Sequence, residues 1–96
     1  MPTLSKTFNI PFSGGAAIVV CLFKYTSKYD DTPSVYKGNI IAQYNADGTT
    51  EDFGGTADRS LSVSVNSGVM TVTLNYDLMF RITDCRCCLI PGDPFA

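Results

Sequence analysis

The sequence predicts an all-β domain, a small antiparallel β-sandwich of immunoglobulin-like type or a small barrel, with about six to seven strands. Three observations point there. Short segments alternate apolar and polar residues with a period of two. Gly, Pro, Asn and Asp punctuate the chain between them, and no stretch sustains a helical period. Charged residues make up 17% of the chain against about 25% in ordinary soluble domains. Thr, Ser and Asn fill those places, and β-branched Thr suits a pleated surface. At 96 residues the chain, 1–96, is one domain.

The elements follow in order. Leu4, Lys6, Phe8 and Ile10 alternate with Thr3, Ser5, Thr7 and Asn9, the pattern of a strand with one wet face, closed by Pro11 and Gly14-Gly15. Residues 1–6 are also expected to serve as a short N-terminal arm. Residues 16–25 are apolar at nearly every position and rich in β-branched side chains, which predicts a central strand buried on both faces. Lys28, Asp30, Asp31 and Pro33 mark residues 27–34 as a surface loop. A third strand over residues 35–44 places Tyr36, Ile40, Ala42 and Tyr44 on one side, with Val35, Lys37, Asn39 and Gln43 on the other. Asp47-Gly48 supplies a tight reversal into a short strand over residues 49–53, and residues 54–59 connect onward.

Residues 61–76 are the most informative. With Ser67-Gly68 as a two-residue turn, Leu61 stands opposite Leu74, Val63 opposite Val72 and Val65 opposite Met70. The same register sets Ser62 against Thr73 and Ser64 against Thr71, so one face is dry and the other bears hydroxyls. A slip of one residue would expose the whole apolar set. Leu78, Phe80 and Ile82 continue the alternation into a last strand; Asp84 falls on its apolar side and predicts a bulge or an end near Thr83. The strand resumes through Leu89-Ile90, and the prolines at 91 and 94 make residues 90–96 an irregular tail.

Composition also excludes function classes. The chain has no histidine, so neither a Ser-His nor a Cys-His nucleophilic site exists. The carboxylate pairs Asp30-Asp31 and Glu51-Asp52 are neighbours in loop or short-strand context, with nothing to raise one pKa selectively. We therefore expect no enzyme, no small-molecule substrate and no cofactor. Residues 45–52 cluster oxygen ligands around a glycine, but an EF-hand spacing would need a glutamate at the position of Gly54. A net charge of −2 removes the electrostatic basis of nucleic-acid and anionic-membrane binding. The one long apolar run, about ten residues, is half a membrane span, and it lacks the flanks of a signal peptide.

Four cysteines are the chemically pointed feature: Cys21 alone in the apolar run, and Cys85, Cys87 and Cys88 near the C-terminus. Together they are weak zinc candidates, because an extended segment turns Cys85 and Cys87 one way and Cys88 the other. A disulfide from Cys21 to one of the three is an alternative. Without an export signal, reduced thiols acting as small hydrophobes are favoured. Five Tyr and six Phe could form a sugar platform, but there is no Trp, and most are expected in the core or an interface.

A charge-poor β module with a strand beginning near Met1 and a proline-bounded C-terminal segment resembles the small all-β virion proteins of tailed bacteriophages, the auxiliary or decoration proteins of the capsid. The resemblance implies a sandwich present in many copies per particle, binding the major capsid protein and copies of itself and cementing the shell. It further implies a virion location after synthesis in the host cytoplasm. Contacts are expected at Thr3, Leu4, Lys28, Tyr29, Pro33, Ile90, Pro91, Pro94 and Phe95. The alternative is a stand-alone binding module for a glycan or a host protein, using the Tyr-bearing loops.

Overall fold

The structure, a computed structural model, describes residues 3–31, 34–53 and 59–96. Seven strands, β1 (Thr3–Pro11), β2 (Ala17–Ser27), β3 (Tyr36–Tyr44), β4 (Thr50–Asp52), β5 (Arg59–Asn66), β6 (Val69–Asp77) and β7 (Phe80–Pro91), form two antiparallel sheets ordered β1-β6-β5 and β4-β3-β2-β7. No helix occurs among the described residues, so none is long and apolar enough to cross a membrane.

The sheets face each other across one core. Cys21, Phe23 and Ile40 of the four-stranded sheet meet Leu74 and Tyr76 of the other, and Val19 meets Met70 and Val72. The sandwich expectation is met; its strand order is its own, with β2 between β3 and β7 rather than beside the fifth strand as in immunoglobulin sheets.

The β5–β6 hairpin has the register read from the sequence, with Leu61 opposite Leu74, Val63 opposite Val72 and Ser62 opposite Thr73. Ser67 and Gly68 both take positive φ, 51° and 80°, the conformation of a type I′ turn that matches strand twist. In β7 the pairing shifts from Lys24 opposite Asp84 to Tyr25 opposite Ile82. Thr83 is the extra residue of a bulge there, which turns Asp84 to solvent while Ile82 and Cys85 both pack against the core.

Four expectations need correction. Residues 3–6 are not an arm: they pair along β6 from Thr3 opposite Asp77 to Lys6 opposite Leu74. Leu78 lies in the turn between β6 and β7, where Asp77 accepts a hydrogen bond from the Met79 N–H at 2.8 Å. Ile90 and Pro91 belong to β7, so the irregular tail begins at Gly92. Most important, β2 is buried on one face only: Ala17, Val19, Cys21 and Phe23 are inside, Ile18 and Val20 are half-covered, and Leu22 and Lys24 are exposed.

At the β5 end of the core, Arg59 is buried with its guanidinium carbon 5.2, 4.3 and 4.5 Å from the ring centroids of Phe23, Tyr25 and Phe80. The rings' negative faces offset part of the cost of burying that charge. The Phe23 ring reaches this place because Gly38 opposite it has no side chain; a Cβ there would lie 2.5 Å from the ring.

Candidate interaction surface

The outer face of the four-stranded sheet is built in cross-strand rows. Ile90–Ile18–Gln43 forms one, Cys88–Val20–Ile41 the next, Arg86–Leu22–Asn39 the third, and Asp84–Lys24–Lys37 the last. The first three rows leave a contiguous apolar strip in which Leu22 is 51% and Ile90 56% exposed. The tail runs across one end of it. Gly92 N–H donates to the Ala16 carbonyl at 2.8 Å, and Phe95, 76% exposed, reaches Phe53 beyond β3 with ring centroids 6.1 Å apart. Phe53 N–H is held by the Ile41 carbonyl at 3.0 Å, so this exposed aromatic pair joins the apolar strip at the β4 side.

The other end of the face is basic. A recess of about 330 Å³ opens over Leu22, Asn39, Lys24, Lys37 and Arg86, with Asp84 at its side. Lys24 and Lys37 are direct cross-strand neighbours, a like-charge pairing that costs stability in an isolated sheet. Asp84 offsets part of it, shared with Arg86 at 3.7 Å. Three of the chain's seven cationic side chains thus gather at one recess of a molecule with net charge −2.

The outer face of the three-stranded sheet has the opposite character. Thr71 donates to Asn9 at 2.9 Å, Asn75 to Ser62 at 3.2 Å, and the Thr7 and Thr73 hydroxyls meet at 3.4 Å. Several of its polar groups are engaged with each other.

The residues expected to make contacts fall at opposite ends of a molecule 46 Å long. Ile90, Pro91, Pro94 and Phe95 border the apolar strip, where Asp93 holds the tail in a tight turn by accepting the Phe95 N–H at 2.8 Å. Thr3 and Leu4 pair with Asp77 and Tyr76 at the far end, near Lys28, whose N–H reaches the Met79 carbonyl. Lys28 is exposed and Tyr29 is 79% exposed; Pro33 lies outside the described residues. Ile18, Val20 and Leu22 are not legible as surface in the sequence because they alternate with core residues in one continuous apolar run, whereas Ile90 is among the expected contacts.

Among the described residues, no three Cys, Asp or Glu side chains come together as a metal site. Cys88 faces outward, while Cys21 and Cys85 meet inside with sulfurs 3.7 Å apart. Burial pushes the Cys21 thiol far above its ordinary value, and Cys87 up to about 11, the neighbouring thiols adding to both. Residues 45–49 form a hydrogen-bonded turn, with Asp47 accepting from the Thr49 hydroxyl at 2.6 Å and from its N–H at 3.0 Å. Those two bonds hold the Asp47 carboxyl below its usual range. Tyr25 and Tyr76 line the core, leaving Tyr29 without them as a platform. Comparison with protein-family models, with curated proteins and with solved structures finds no match to this chain.

Proposed function

We propose that this chain is a non-enzymatic assembly protein, of the kind the tailed-phage decoration proteins represent, and that it docks on a capsid-like protein lattice through the outer face of its four-stranded sheet. The strip of exposed Leu22 and Ile90 with half-covered Ile18, Val20 and Ile41, beside a basic recess, carries this reading. Contiguous apolar surface of this sort, rimmed by polar groups, marks protein interaction sites. The free sheet edge fits docking less well. Edge strand β7 carries Arg81, Asp84 and Arg86, a bulge at Thr83 and a terminal proline, the features that discourage strand addition.

Quantitative mass spectrometry of purified particles tests the reading. The chain is expected in many copies per particle, and the Leu22→Thr/Ile90→Thr double variant is expected to fold normally and to fall at least several-fold in copy number. Recovery of the wild-type chain only as a free soluble protein would overturn the proposal.

A further inference from the structure

Cys21 sits at the centre of β2, fully buried, and Cys85 on the neighbouring edge strand β7, with their sulfurs 3.7 Å apart. A disulfide bond is about 2.05 Å long, so the two sulfurs are about 1.7 Å from bonding distance. Cys85 also has a route to solvent. The edge strands β1 and β7 leave a groove of about 400 Å³ between the sheets, lined by Lys6, Thr7, Phe8, Thr83, Asp84 and Cys85. The bulge at Thr83 sets this geometry, because it lets Ile82 and Cys85, three positions apart, both face inward.

We propose that Cys21 and Cys85 are a redox-active pair that closes into an intrachain disulfide on exposure to peroxide, fastening edge strand β7 to β2. The pair does not depend on the assembly reading above.

Cys85 is the sulfur that reacts first. It is the one reached from the groove; burial and Asp84 push its thiol up, and the Cys21 S–H and Lys6 offset part of that rise. The Cys85 thiolate attacks one peroxide oxygen: an S–O bond forms, the O–O bond breaks, and the departing hydroxide takes a proton to leave as water. The Cys21 sulfur then attacks the Cys85 sulfenic sulfur; the S–S bond forms, the S–O bond breaks, and the Cys21 proton leaves with that oxygen as a second water. Two thiols and one hydrogen peroxide become one disulfide and two waters. Cys87, opposite Cys21 in the ladder, and Cys88, on the outer face, remain thiols.

Trypsin separates the candidates cleanly. Cleavage after Lys6, Lys24, Arg81 and Arg86 releases Cys21 in residues 7–24, Cys85 alone in residues 82–86, and Cys87 with Cys88 in residues 87–96. After mild hydrogen peroxide treatment of the whole folded protein, titratable thiols measured in denaturant are expected to fall from four to two. The new linkage is expected between residues 7–24 and 82–86, reversed by dithiothreitol, and unchanged in a Cys87→Ser/Cys88→Ser variant. In the half-buried Cys85→Ser variant, Cys21 is expected to stay reduced. Retention of four thiols, a linkage from Cys21 to residues 87–96, or overoxidation of Cys85 with Cys21 still free would each overturn the proposal.

Discussion

The outer faces of the two sheets are made by the same device, alternation along a strand, and end in opposite states. On the three-stranded sheet the outward positions Thr71, Thr73 and Asn75 of β6 are polar and hydrogen-bond to Asn9, Thr7 and Ser62, with Val69 at the strand's start the apolar exception. On the four-stranded sheet the outward positions of β2 include Ile18, Val20 and Leu22, and among the described residues Leu22 is left half exposed. A hydroxyl face is at rest in water; an apolar face gains by losing it. The contrast sets an exposed apolar strip on one outer face against a largely hydroxyl-bearing one on the other.

Substitutions graded across the two sheets test that contrast. Leu74→Ala, inside the core at a fully buried position, is expected to cost about 2–5 kcal/mol, measured by urea unfolding. Gly38→Ala comes next at about 1–3 kcal/mol, because the added methyl displaces Phe23 from the Arg59 stack. A comparable loss for Thr73→Val would show that the hydroxyl face is part of the core and would end the distinction.

Raising pH should produce a smaller loss confined to the inner thiols. Burial raises the folded-state values of Cys21, Cys85 and Cys87, so their contribution is complete below the ordinary value of 9.0 and falls as pH rises above it, through about 11 for Cys87, because the unfolded chain ionises before the folded one. Unfolding midpoints between those limits should decline less in Cys87→Ser than in wild type. Leu22→Thr is expected to leave stability within about 0.5 kcal/mol while weakening association, and Thr73→Val to change neither stability beyond that range nor association. Equal loss of association in the two variants would remove the asymmetry of the faces.

Much of the fold was legible because it is written locally. The β5–β6 register needed only a turn and two alternating arms, and the misplaced Asp84 announced the Thr83 bulge. The exposed outer face of β2 was not legible. An unbroken apolar run is what a strand buried on both faces looks like, and it is also what a strand looks like with one face left for a partner. The positions of Leu4 and Tyr29 at one end and Ile90 and Phe95 at the other likewise depend on how the sheets are laid together.

The all-β class, the hairpin register and the absence of histidine chemistry follow from composition and from neighbours a few residues apart. Only the tertiary structure decided which face of β2 is covered and which thiol meets Cys21. Both depend on β2 and β7 pairing across 64 positions of chain, and residue periodicity records the faces of a strand without recording who arrives beside it.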